Sequence, residues 1–316
     1  MRVLITDDTH PVLSALLRAA GHEVVEDSTV DYDSLLRCVG GYDALVVRSK
    51  IEIDKAFIDH LSSDPTTPPR LKVIGRVGAG METIDVEYAR QRGIVCLNSP
   101  EGNRDAVGEH TVGLLMALMD KIARADAEIR QGLWRREDNR GMEVKGKTVG
   151  IIGFGNMGSA FAQRLRGFDC EVVAYDKYKS AGYAPDYVRE VTLEELQACA
   201  DVVSLHVPLT DETHYMADKV FFHAFAKDFF LLNTSRGAVV NTADLVAALQ
   251  EGKVLGAGLD VLEYEDMRKD GVDLADRCAE LFRQRVVLTP HVAGWTVESK
   301  ERLARVLAEK IIRELC

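Results

Sequence analysis

Two patterns of apolar residues alternate along this chain. One is a short run rich in Val, Ile and Leu, the signature of a strand buried on both faces. The other places its apolar residues three and four apart, the signature of an amphipathic helix. Arg2–Thr6, His22–Glu26, Ala44–Arg48, Lys72–Arg76 and Ile94–Leu97 read as strands, and Pro11–Ala20 and Tyr32–Val39 as helices. The segment Asp64-Pro65-Thr66-Thr67-Pro68-Pro69 reads as a surface loop. Gly108–Arg130 predicts one long helix with Val112, Leu115, Met116 and Met119 on its apolar side, bridging two domains. From Lys147 to about Leu288 the alternation resumes, with later strands at Val202–His206, Phe229–Asn233, Gly256–Val261 and Val286–Thr289. The tail Val297–Leu315 predicts an amphipathic helix carrying Leu303, Val306, Leu307 and Ile311 on one face.

Such alternation implies parallel sheets covered by helices. The predicted fold class is α/β, with two Rossmann-like or flavodoxin-like parallel-sheet domains and a cleft between them. The expected domains are a substrate-binding domain over 1–100 and a dinucleotide-binding domain over 101–290. The segment 291–316 is expected to return as a helix to the first domain. A chain of 316 residues is long enough for two cores.

Composition narrows the partners. Hydrophobic content of 47% and charged content of 28% suit a globular enzyme, and a formal net charge of −11 disfavours nucleic acid or an anionic membrane. An anionic ligand would therefore need a local basic pocket. The N-terminus turns acidic at once and does not read as a signal peptide, so a cytoplasmic protein is expected. The six cysteines form no C-x-x-C pair, which predicts free thiols and no metal site.

The strongest motif is Thr148–Ile152 running into Gly153, Gly155 and Gly158, followed by helical spacing at Phe161, Ala162 and Leu165. The first glycine allows the tight turn, the second a close approach to a pyrophosphate, and the third helix–strand packing. Free N–H groups at the helix start then face the phosphates. The next strand, Glu171–Tyr175, ends at Asp176, whose carboxylate can accept the adenosine ribose hydroxyls and repel a 2′-phosphate. The cofactor expected is NAD, although Lys177 and Lys179 stand close by.

Three further strand ends carry chemistry. Arg236 follows Phe229–Asn233, Glu265 follows the run Gly256–Tyr264, and His291 follows Val286–Thr289 and Pro290. Ligands of open α/β sheets lie beyond the carboxyl ends of the strands, so these three should converge. Arg236 could hold a carboxylate and polarise a carbonyl, and His291 could exchange a proton near neutral pH. Glu265 could keep the imidazole charged and fix its tautomer, with Glu263 as a competitor for that role. His206 reads as cleft wall and His110 as a structural residue of an apolar helix.

With these segments in order, the chain resembles the D-isomer-specific 2-hydroxyacid dehydrogenase family, and within it the D-3-phosphoglycerate dehydrogenases. The resemblance runs through Val47-Arg48-Ser49, Gly75–Gly80 with Ile84-Asp85, Gly108-Glu109-His110, the glycine motif, His206–Thr210, Asn233–Gly237, Asp260-Val261 and Pro290-His291. It implies an NAD-dependent dehydrogenase interconverting a D-2-hydroxy acid and its keto acid. The substrate expected is 3-phosphoglycerate, as in serine biosynthesis. A glyoxylate or hydroxypyruvate reductase is the alternative, and an NADH-sensing corepressor-like binding protein the rival of another class.

The same resemblance implies catalytic roles for Arg236, Glu265 and His291. It assigns cofactor contacts to Gly153, Gly155, Asn156, Met157, Gly158, Asp176, His206, Val207, Pro208, Thr213, Thr234, Ser235, Arg236, Asp260, His291 and Gly294, with Asp260 against the nicotinamide carboxamide. Substrate contacts fall on Arg48, Arg76, Val77, Gly78, Ala79, Arg236, Trp134 and Arg136, the backbone of Val77–Gly80 taking the carboxylate. Arg136 would reach the pocket from a neighbouring subunit of a homodimer built through the NAD-binding domain. The chain departs from the family pattern at Asp266, where a proline is usual, and at Met81-Glu82-Thr83, where an Asp-Asn pair is common. It stops soon after the returning helix, so feedback through a C-terminal regulatory domain is not expected.

Overall fold

The computed structural model describes residues 1–62, 68–265, 271 and 273–315. Asp266 and Cys316 lie outside the described residues. Of the proline-rich segment only Pro68 and Pro69 are described, and they belong to no helix or strand. The chain divides into two compact units, one of Met1–Asn103 with Trp295–Cys316 and one of Arg104–Gly294.

The first unit holds β1 (Arg2–Ile5), β2 (Glu23–Glu26), β3 (Ala44–Val47), β4 (Val73–Arg76) and β5 (Val95–Leu97). They pair in parallel in the order β2-β1-β3-β4-β5. All four residues of β3 are buried, as the unbroken run Ala44-Leu45-Val46-Val47 requires of a strand covered on both faces. The helix Val297–Leu315 belongs to the same unit. It buries Ala304, Leu307, Ala308, Ile311 and Leu315 in one apolar cluster with Val3, Ile5, Val46 and Val73.

The second unit holds β6 (Thr148–Ile152), β7 (Glu171–Tyr175), β8 (Arg189–Glu190), β9 (Val202–Leu205), β10 (Phe229–Asn233), β11 (Val254–Leu259) and β12 (Val286–Leu288). Their order is β12-β11-β10-β9-β6-β7-β8, and neighbouring strands pair in parallel. Strand order reverses between β6 and β9, which is where open α/β sheets open a ligand crevice. Every residue of β6, β9 and β10 is buried, so the sheet centre is covered on both faces where the glycine turn leaves it.

Two local expectations are corrected. The long helix over Gly108–Arg130 is two helices, Arg104–Met119 and Ile122–Arg130, both within the second unit. Lys121 separates them in the left-handed region at φ 55°. Their environments differ: the first buries Leu114, Leu115, Leu118 and Met119, whereas the second buries none of its residues. The strand expected over Gly256–Val261 is β11, which starts two positions earlier because Val254 pairs with Phe229 across a register shift. Among the described residues, no helix is long and apolar enough to cross a membrane.

Candidate active site

At the end of β6 the chain turns at Gly153 with φ +89°, a left-handed conformation that favours glycine. A Cβ there would stand 2.6 Å from the carbonyl oxygen of His206, and one at Gly158 would stand 2.2 Å from that of Gly153. The turn and the helix Asn156–Leu165 are thus pressed against the sheet. Nothing lies within 4 Å of a Cβ built at Gly155, and that residue starts the helix without a side-chain cap. A hollow of about 390 Å³ opens there, bordered by Asn156, Ser159, Lys179 and Tyr183. Open space over an uncapped helix start fits a pyrophosphate.

Asp176 shapes the same turn. One carboxylate oxygen accepts from the N–H of Phe154 at 2.9 Å, and the other from that of Tyr178 at 3.0 Å. Lys177 is ion-paired with Glu212, and Lys179 donates to the carbonyl of Phe154. On the far side of β6, the His206 ring packs tilted on Phe161, and its Nε2 stands 2.8 Å from the hydroxyl of Ser204. Burial pushes its pKa down to about 3, so the ring stays neutral and is poorly suited to proton exchange with solvent. Beyond it, Thr213 donates to the carbonyl of Pro208 at 2.6 Å, closing the loop that also carries Val207.

The structure brings His291 and Glu265 together. Oε1 of Glu265 lies 2.7 Å from Nδ1 of His291, which leaves Nε2 as the other nitrogen of a half-exposed ring. The hydrogen bond that the ring donates to Glu265 raises the His291 pKa, working against desolvation and against the nearby charge of Arg236. Glu263 is engaged elsewhere: it accepts from the Tyr215 hydroxyl at 2.6 Å and from the Thr242 N–H at 2.8 Å. The histidine itself sits at φ 56°, unusual for a residue with a side chain.

Two buried residues, unremarked in this role from sequence, hold the site's loops. Asn233, at the end of β10, accepts from the N–H and hydroxyl of Ser235 and donates to the carbonyl of Arg236 at 2.9 Å. An asparagine as the last residue of a strand is the available sequence signal for such a turn. Asp260, just past β11, accepts from Thr289 Oγ1 at 2.6 Å, Val292 N at 2.9 Å and Ala293 N at 2.8 Å. Its carbonyl takes the His291 N–H at 2.7 Å. Asp260 therefore fastens the His291 loop as well as being the residue assigned to the carboxamide. His110, expected to be structural only, has Nε2 within 2.9 Å of the Thr289 hydroxyl.

In the first unit, Arg48 follows β3. Its backbone N–H is held by Asp7 at 2.8 Å, and its guanidinium lies 3.8 Å from the centre of the Trp295 ring. That guanidinium makes no hydrogen bond or ion pair among the described residues, although it is half-buried. Arg76, at the end of β4, donates from Nε to the Arg48 carbonyl at 3.1 Å. Gly78 has φ +152°, and a Cβ on it would meet Arg76 Nη1 at 2.3 Å. The loop expected to take the carboxylate is Val77–Gly80. The N–H of Val77 already donates to Val47 O, and that of Gly78 to Ser99 Oγ, so strand and turn hold the first half of the loop. No partner for the N–H of Ala79 or Gly80 is found among the described residues. Trp134 and Arg136 are exposed in the second unit, after the helix Ile122–Arg130.

These arrangements have relatives. The family model for the NAD-binding domain of D-isomer specific 2-hydroxyacid dehydrogenases matches residues 112–293. A D-3-phosphoglycerate dehydrogenase of Archaeoglobus fulgidus is 35% identical over 99% of this chain, but the match spans only 57% of that protein. A hydroxypyruvate reductase of Thermotoga maritima is 33% identical over 99% of this chain and 98% of its own length. A D-lactate dehydrogenase of Aquifex aeolicus, solved with NAD and lactic acid, superposes with a TM-score of 0.79 at 26% identity, covering 98% of this chain and 94% of that one.

Proposed function

This chain belongs to the D-isomer-specific 2-hydroxyacid dehydrogenase family, and on that premise we propose that it interconverts 3-phosphoglycerate and 3-phosphohydroxypyruvate. The observation that carries the substrate is Arg48: a half-buried cation, stacked on Trp295 and beside Arg76, in a protein of net charge −11. A phosphate carries nearly two negative charges and calls for such a cluster.

Bound NADH supplies the hydride. His291, with Nδ1 engaged by Glu265, gives the proton on Nε2 to the carbonyl oxygen during reduction and takes it back during oxidation. Arg236 takes the substrate carboxylate and polarises the carbonyl. The N–H groups of Ala79 and Gly80 add donors to the carboxylate. Gly155, Asn156 and Met157 would hold the pyrophosphate, and Asp176 the ribose. Assembly as a homodimer through the second unit is part of the same reading. It is supported by Ile122, Ile129 and Trp134, which are 53%, 50% and 78% exposed.

Reduction of hydroxypyruvate or glyoxylate is the second reading, favoured by the identity to the Thermotoga reductase across both chains. A panel of keto acids, assayed with NADH and NADPH in parallel, tests both. The phosphorylated substrate should have the highest kcat/KM. Preference for hydroxypyruvate or glyoxylate would install the second reading, and no turnover of any keto acid would reject both.

A further inference from the structure

His110 and Thr111 are neighbours on the helix Arg104–Met119, and each reaches a different functional loop. His110 meets Thr289, two residues before His291, and Thr111 Oγ1 lies 3.2 Å from Oγ1 of Thr234, two residues before Arg236. Donor arithmetic sets the direction of both contacts. The single hydroxyl proton of Thr289 goes to Asp260, a carboxylate already taking two backbone N–H groups. Thr289 can then only accept from His110, whose Nε2 must carry the proton. In the same way the Thr111 hydroxyl donates to the Val107 carbonyl at 2.7 Å, so Thr234 donates to Thr111.

Thr111 is fully buried, Thr234 is 9% exposed and Asp260 1% exposed, so water competes poorly for these bonds. The helix is itself held down: Arg164 of the helix Asn156–Leu165 pairs with Asp105 at 2.8 Å. One rigid element therefore grips the ends of both β10 and β12.

We propose that His110 and Thr111 are positioning residues that fix the spacing of the Arg236 and His291 loops, His110 acting through Thr289 and Asp260. This rests on the reading that Arg236 and His291 perform the chemistry. Misplacing a reacting group by an ångström can cost roughly a hundredfold in rate without contact to the substrate.

The test compares His110→Ala, His110→Gln and Thr111→Val with the wild type. Two readouts are taken: keto-acid reduction, and the NMR titration of the His291 imidazole, which Glu265, Asp260 and Arg236 surround. His110→Ala should lower kcat roughly 10- to 100-fold with the NADH dissociation constant unchanged. It should also move the His291 titration toward that of a free histidine as the Glu265 contact loosens. His110→Gln, which keeps an N–H donor, should recover most of both. Thr111→Val should lower kcat and raise KM for the keto acid while leaving the His291 titration in place. The proposal is overturned if the His291 titration is unmoved in His110→Ala, or if His110→Gln is as impaired as His110→Ala. The titration is read in protein without substrate. Failure of the dehydrogenase reading would appear separately, as a wild type that turns over no keto acid.

Discussion

Glu265 and Glu263 are two residues apart and face different partners, Glu265 the imidazole of His291 at 2.7 Å and Glu263 the Tyr215 hydroxyl at 2.6 Å. Glu265→Gln should therefore shift the pH profile of keto-acid reduction, which needs the imidazolium, to lower pH. The raised His291 pKa would fall toward the ~6.5 of a free histidine. For stability the folded protein holds this proton more tightly than the unfolded chain. The pair's contribution is then complete below about pH 6.5 and lost as pH rises through the raised value. Glu263→Gln should leave the pH profile in place and lower stability by about 1–3 kcal/mol, through a disturbed pair of hydrogen bonds. Denaturation and pH–rate curves on both variants check this, and a shifted profile in Glu263→Gln would reverse the assignment.

His291→Ala should lose roughly 10²–10⁴ in kcat, the scale for removing a general acid, with NADH affinity little changed. Stopped-flow reduction and fluorescence titration with NADH separate the two quantities. Near-full turnover would move the role away from His291. It would not move to His206, whose buried ring is held neutral.

Most of the fold was legible because its strands are buried on both faces and so are written as continuous apolar runs. The glycine motif was legible because its spacing reports backbone contacts made within one turn. The break at Lys121 was not, since the helical periodicity continues across it and only the change of environment from buried to exposed marks the join. The roles of His110 and Thr289 were hidden for another reason. They lie far apart in sequence, and a histidine on an apolar helix carries no local sign of the residue it will meet. The partner of His291 was named but left open against Glu263, because spacing alone places both carboxylates near the same strand end.

The cofactor preference follows from Asp176. Lys177 is already paired with Glu212, which leaves Asp176 facing any 2′-phosphate with less opposing charge nearby. NADH should be preferred over NADPH by at least roughly tenfold in kcat/KM, which needs only ~1.4 kcal/mol. Asp176→Ser should narrow the ratio. Equal kcat/KM for the two coenzymes in the wild type would point instead to Lys179 as a donor to the 2′-phosphate.

The helix Ile122–Arg130 buries none of its residues in its own unit, while Ile122, Ile129 and Trp134 remain exposed. Light scattering at micromolar concentration should give twice the 34.9 kDa chain mass, and Ile129→Asp should halve it. A wild-type protein of 34.9 kDa in solution would refute the dimer.

The far end of the substrate is tested at Arg76 and Trp295. A charge-assisted hydrogen bond is worth about 1.5–3 kcal/mol, so Arg76→Ala should cost roughly 10–150-fold in kcat/KM on 3-phosphohydroxypyruvate. Hydroxypyruvate should be almost unaffected. Arg76 also donates to the Arg48 carbonyl and lies over Gly78, so a structural role is a real competitor. That role predicts equal losses on both substrates, which would favour the reductase reading. Trp295 offers an independent view, because the chain has two tryptophans and Trp134→Phe leaves Trp295 alone. With the Arg48 guanidinium stacked on that ring, 3-phosphoglycerate drawn to Arg48 should change its emission, and lactate, which lacks the phosphate, should change it less. An equal response to both ligands would show that Arg48 senses the carboxylate end instead.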